Sequence, residues 1–192
     1  LSYNKGAAII HNLRFEMQSD TLFFKTLKQY QQQFKNSTAT GENLKSVAEN
    51  ICGRSFNEFF NQWYYGEGYP THNITWYKPT SDSIVFLVNE TVSAPTITPF
   101  FSGYLELKVT SSSGDTTFLV NLAGNNQIFR FNYTKTPTTI VVDPNDWITN
   151  KTGTITNATV VPVKFTSLTG IAKTDCSYSI NWTTQSEINV QS

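Results

Sequence analysis

The sequence predicts an α+β protein, with a helical region, then an antiparallel β-sandwich, then a further β-rich stretch. Three observations predict it. Apolar residues recur with a helical period over residues 1–66. Beyond them the texture changes to short β-branched and aromatic runs separated by turn clusters. Only 15% of residues are charged, against 27 Thr and 18 Asn, and 14% are aromatic, which favours sheets and supplies bulk for a packed core.

In the first region, Ala7, Ile10 and Leu13, widened by Ala8, Ile9 and Phe15, make a broad stripe. It predicts a helix from Asn4 to about Met17, covered on more than one side. Ser19 reads as the N-cap of a second helix whose face carries Leu22, Phe23, Leu27, Tyr30 and Phe34. Thr40 caps a third, with Leu44, Val47, Ala48 and Ile51 at i, i+3, i+4 and i+7, and Gly53 follows as its C-terminal stop. Ser55-Phe56-Asn57-Glu58 matches a capping box opening a fourth helix through Phe59, Phe60 and Trp63, which Gly66, Gly68 and Pro70 end.

Residues 71–148 hold six strand-like runs: 73–77, 83–89, 104–110, 116–121, 127–133 and 138–142. Turn clusters at 78–82, 111–115 and 123–126 separate them, a spacing that fits a sandwich. In the fifth run Phe129, Phe131 and Tyr133 alternate with Ile128, Arg130 and Asn132, so one face is aromatic and expected to be buried. Residues 149–160 are Thr/Asn-rich and read as a linker. Two or three further strands are expected, among them 163–168 and 177–183, too few for an independent sandwich.

Little in the chain points to chemistry of its own. The 14 Lys+Arg balance the 14 Asp+Glu, and there is no basic run, so nucleic acid is not an expected partner. No apolar run approaches the roughly 20 residues needed to span a bilayer. The start, Leu1 to Lys5, has neither a signal-peptide pattern nor an initiator Met, and an excised part of a longer protein is expected. A zinc site needs three or four ligands at matched spacing, and His11 and His72, one mid-helix and one in a loop beside Pro70, do not assemble one. Glu106, Asp115, Asp143 and Asp146 could be imagined as a carboxylate pair but read as residues of solvated turns. Cys52 and Cys176 read as unpaired thiols. Seven Asn-x-Ser/Thr sequons, at Asn36, Asn73, Asn89, Asn132, Asn150, Asn157 and Asn181, exceed chance only weakly, and Asn132 and Asn181 fall inside expected strands.

A set of short motifs carries more. Tyr3-Asn4-Lys5-Gly6, followed by Ile10 and Leu13-Arg14, resembles the Tyr-x-Lys-Gly helix of the M1 zinc aminopeptidases, the gluzincins. Asp20-Thr21-Leu22-Phe23-Phe24, the pair Tyr30 and Phe34, Phe59-Phe60-Asn61-Gln62-Trp63, Gly68-Tyr69-Pro70 and Trp76 resemble later segments of that family in order and spacing. The stretch from Val161-Pro162-Val163 to Trp182-Thr183-Thr184-Gln185-Ser186-Glu187-Ile188-Asn189 resembles a fibronectin-like module of secreted Bacteroidetes proteins that commonly precedes a type IX secretion sorting signal.

The resemblance implies a division of the chain. Residues 1–66 would be the helical end of a gluzincin catalytic domain and 71–148 a β-sandwich. Residues 149–192 would be a linker and a truncated fibronectin-like module. It implies one catalytic residue, Tyr3, the family's tyrosine whose hydroxyl donates to the oxyanion of the tetrahedral intermediate. A phenol suits that task, because with a pKa near 10 it is a neutral donor at neutral pH. The family's zinc ligands, general base and amine-binding segment would lie upstream, so zinc and peptide substrate are expected of the parent, not of this chain. The parent is expected to be secreted or at the cell surface. Two alternatives share these features: a non-catalytic surface binding or adhesion scaffold, and a carbohydrate-binding sandwich. Separation from the catalytic domain is expected to expose some of Ala8, Ile9, Ile10 and Phe15 and to drive dimerisation through 1–66.

Overall fold

The computed structural model describes residues 2–158, 165–172 and 177–184. They fall into two compact units, 1–157 and 158–192. The fold class is α+β.

The first unit opens with α1 (Ser2–Met17), α2 (Asp20–Phe34) and α3 (Gly41–Cys52). The caps form as local chemistry dictates. Ser19 Oγ accepts from the Leu22 N–H, and Thr40 forms a reciprocal capping box with Asn43. Gly53, at φ 67°, closes α3 with its N–H on the Glu49 carbonyl. The fourth helix differs from expectation. Its α-helical part, α4 (Asn57–Phe59), is one turn long and continues as a π-helix, Phe60–Tyr65. The Ser55 capping box does not form. Instead Glu49 reaches out of α3 and accepts from the Phe56 N–H and the Ser55 hydroxyl, while Ser55 Oγ accepts from the Asn57 N–H.

The six expected strands are present: β1 (Pro70–Thr80), β2 (Ser83–Val92), β3 (Gly103–Thr110), β4 (Thr116–Leu122), β5 (Gln127–Asn132) and β6 (Thr139–Val142). A seventh, β7 (Lys151–Asn157), occupies most of the stretch read as a linker. Thr is a good strand former, and β7 lies parallel along the edge strand position beside β1, so a Thr/Asn-rich run serves as an edge. The sheets are β5-β2-β1-β7 and β4-β3-β6, antiparallel throughout except for the β1–β7 pair.

Alternation of apolar residues decides the packing. Ile74, Trp76, Ile84, Phe86 and Val88 from one sheet meet Leu105, Leu107, Val109, Val120, Ile140 and Val142 from the other. Phe131 stacks on Phe118 across the sheets at 4.5 Å, and Tyr133 is buried, as the aromatic face of the fifth run requires. A second cluster joins the helices around Leu13, Phe23, Ala48, Phe56, Phe60 and Trp63. It also contains Phe101, from the β2–β3 connection, whose ring lies 4.4 Å from Trp63.

The second unit contributes one described hairpin, β8 (Phe165–Ala172) and β9 (Tyr178–Thr184), antiparallel with an irregularity between Phe165 and Ser167. Val163 and Lys164, expected to begin its first strand, lie outside the described residues, as does Cys176.

Candidate functional site

The head of α1 and the π-helix form the candidate site. Tyr3 sits in the first turn of α1 and is 94% exposed. Two residues on, the Lys5 ammonium donates to the carbonyls of Tyr64 (3.3 Å) and Gly66 (3.0 Å), at the end of the π-helix. Beside this contact an open cleft of about 400 Å³ is lined by Lys5, Ala8, Ile9, Asn12, Trp63 and Glu67, among others. The π-helix also presents Tyr65, whose hydroxyl donates to Glu42 at 2.7 Å. That carboxylate pushes the Tyr65 phenol pKa up, while Lys45 and Tyr65 together hold Glu42 below the usual carboxylate range.

The underside of α1 is fixed by the loop after β6, which begins at Asp143. Asp143 is buried with φ 47°. Its carboxylate accepts from the N–H groups of Trp147 (2.9 Å) and Ile148 (3.0 Å) and from the Asn150 amide (2.8 Å). The loop so ordered lays the Trp147 ring on Phe15 (5.4 Å) and His11 (5.1 Å). With its amide turned so that nitrogen faces them, the buried Asn12 donates to the carbonyls of Trp147 and Ala8, both at 3.1 Å. This covers Phe15, and Ile9 is buried in the helical cluster. Of the four residues from which an exposed patch was expected, Ile9 and Phe15 are closed within the chain itself, and Ala8 and Ile10 are half-buried.

Lower on α1, Glu16 accepts from both terminal nitrogens of Arg54, each at 3.1 Å, and Arg54 also donates to the Glu16 carbonyl. Burial raises the Glu16 pKa above its ordinary value, and Arg54 opposes the rise. Gly103, at φ 128°, sits against this carboxylate, and a side chain there would be strained by the backbone alone.

The other sequence candidates are dispersed. His72 is not in a loop but in β1, 1% exposed, with Nε2 3.5 Å from the buried Glu90 across the β1–β2 pair. Glu90 in turn accepts from the Phe101 N–H at 2.8 Å. This buried polar pair was illegible in the sequence, because pairing His72 with Glu90 depends on strand register. Asp115 forms a salt bridge with Lys108 (2.9 Å), Glu106 accepts from Asn145 (2.8 Å), and Asp143 holds backbone; these carboxylates serve structure. Asn73 and Asn150 spend their side chains on internal hydrogen bonds, whereas Asn36 is exposed at φ 63°. Cys52 is a free thiol whose pKa burial raises. Among the described residues no three His, Cys, Asp or Glu side chains converge as a metal site. No helix of the described residues is long and apolar enough to cross a membrane.

No family model matches the chain, and no curated protein matches it. Among solved structures it is similar to the crystal structure of Legionella pneumophila aminopeptidase A in complex with aspartic acid. The TM-score is 0.66 and the identity 13%, over 78% of this chain. At that identity the likeness is one of fold: the chain folds as part of an aminopeptidase does. It spans only 17% of that enzyme's length.

Proposed function

We propose that this chain is the C-terminal part of an M1-type zinc aminopeptidase, a hydrolase that removes N-terminal residues from peptides, and that the chain alone is inactive. The observation that carries the proposal is the Tyr3-x-Lys5-Gly6 motif at the exposed head of α1, in a helical layer with an aminopeptidase-like fold. The aromatic pair of the resemblance also meets in space, Tyr30 and Phe34 lying 5.3 Å apart.

In this reading Tyr3 supplies one step. Its hydroxyl, free of any partner among the described residues, donates to the oxygen on which negative charge develops as the peptide carbonyl becomes tetrahedral. The metal, held elsewhere in the parent, would supply Lewis-acid assistance. A donor placed at developing charge is typically worth about 10²–10³ in rate. The sandwich of 71–148 would serve as the domain that follows catalysis in the chain. Residues 149–192 would lead into a sorting module of a secreted or surface protein.

The test is a peptidase assay of the parent with and without a chelator. Chelator-sensitive release of N-terminal residues is expected, with kcat lowered about 10²–10³-fold by Tyr3→Phe. The 192-residue chain is expected to give no turnover. A parent that binds zinc and peptides poorly and hydrolyses none would favour the non-catalytic scaffold.

A further inference from the structure

One polar pair is buried where the sandwich meets the helices, and protein groups satisfy only part of it. The His72 and Glu90 side chains, opposite each other on β1 and β2, are each 1% exposed. Nε2 of His72 lies 3.5 Å from Glu90 Oε2, at the far limit of a hydrogen bond. Nδ1, at another corner of the ring, is buried and meets no donor or acceptor of the protein. Buried polar atoms nearly always have a partner, either protein or ordered water. Glu90 is not free to supply one. Its Oε1 accepts from the Phe101 N–H at 2.8 Å, and the Asn125 amide holds its own N–H and carbonyl at 2.6 and 2.7 Å.

His72 also lines a cavity of about 20 Å³. Asn12 and Glu16 of α1, Trp63 of the π-helix and Ser102 of the β2–β3 connection share its walls. All of these lie within the compact unit 1–157. A space of roughly 10–15 Å³ is enough to take one water, so this cavity has the right size for a single molecule. Other occupants fit less well. The Glu16 carboxylate on the wall opposes an anion. A metal ion would meet two ligating side chains there, His72 and Glu16, where a protein site uses three or four.

Water suits the ring in either arrangement of its hydrogens. With hydrogen on Nε2, toward the carboxylate, Nδ1 accepts from the water; with hydrogen on Nδ1 as well, it donates to it. The walls also offer the acceptors that a water hydrogen needs. Ser102 Oγ gives its hydrogen to Gln62 Oε1 at 3.1 Å and keeps its lone pairs. Asn12, whose amide hydrogens go to the Trp147 and Ala8 carbonyls, keeps its oxygen. We infer that His72 Nδ1 binds one structural water in this cavity, and that the water joins β1 to α1 through Asn12 and to the β2–β3 connection through Ser102. The inference is independent of the peptidase reading.

The test is a high-resolution crystal structure of the 192-residue chain, with His72→Phe beside it. In the wild type one density peak is expected about 2.7–3.2 Å from Nδ1 and in similar reach of the Asn12 or Ser102 oxygen. Phe at this position removes the nitrogen, and the peak disappears. In solution, a water so held gives nuclear Overhauser transfer to the His72 ring hydrogens with the sign of a long-lived partner. The chain has two histidines, so His11→Gln assigns the signals. A wild-type crystal without the peak overturns the inference, and so does the lack of that transfer. A peak with the contacts of about 2.0–2.1 Å typical of a metal ion overturns it too. So does a peak that persists in His72→Phe, and a peak out of reach of both oxygens removes the joining role. If His72→Phe does not fold, the wild-type crystal and spectrum decide by themselves.

Discussion

The sandwich draws its core from its own strands and the residues beside them, with Ile84, Phe86, Leu105 and Leu107 fully enclosed between the two sheets. The helical region does not close its core alone. It borrows Phe101 from the β2–β3 connection, packs Val92 of β2 against the same cluster, and takes Trp147 onto the face of α1. Polar contacts follow the same line: Gln62 accepts from the Ser102 N–H and hydroxyl, and Arg54 and Glu16 close the space beside Gly103. A helical face hydrophobic on more than one side needs several neighbours, and here a β region supplies one of them. The sequence division at residue 70 thus marks a change of secondary structure, not a break in packing, and 1–157 is one compact unit.

Substitutions in each region can sharpen this contrast. The largest effect is expected for Phe86→Ala, deep in the sandwich, at about 4 kcal/mol of lost stability from the transfer and cavity terms. Phe101→Ala should cost about 3 kcal/mol and lower the denaturation midpoints of helical and sheet signals together. Far-UV circular dichroism and tryptophan fluorescence followed in one denaturant series check both. If Phe101→Ala left the sheet transition in place while the helices melted, the two regions would be separable.

Asp143→Ala is next, at about 2 kcal/mol, because three donors lose a charged acceptor and Trp147 loses its seat on α1. A red-shifted fluorescence spectrum would report the freed indole. The smallest effect is one of pH. Burial raises the Glu16 pKa in the folded protein above its ordinary value of 4.5, so the native state binds that proton more tightly than the unfolded chain. Its contribution is greatest below the ordinary value and declines as pH rises through the raised one. Denaturant midpoints of wild type and Glu16→Gln, measured from pH 4 to 7, should diverge in that sense. A constant difference would show that burial and the Arg54 pair cancel at Glu16, and a divergence of the opposite sign that the pair governs it.

What the sequence made legible was local. Ser19, Thr40 and Gly53 announce helix ends through their own side chains or backbone freedom, and six strands follow from alternation that each run carries within itself. What it hid depends on partners distant in the chain. The Ser55 box does not form because the Ser55 hydroxyl donates to Glu49, reaching out of the preceding helix, and accepts from the Asn57 N–H instead. β7 was read as a linker because an edge strand of Thr and Asn has no apolar alternation to betray it. The His72–Glu90 pair and the Asp143–Trp147 loop required register and a left-handed backbone that composition does not encode. For the candidate site, Tyr3 was visible as a motif, whereas the Lys5 bridge to the π-helix was not.

The peptidase reading of the parent meets its most direct test in the coding sequence upstream of Leu1. A His-Glu-x-x-His helix is expected in the same frame, with a glutamate ligand downstream of it and before Tyr3. An intact frame in which that helix is missing or has lost its histidines would contradict the peptidase and leave a scaffold whose β region should be searched for what it binds.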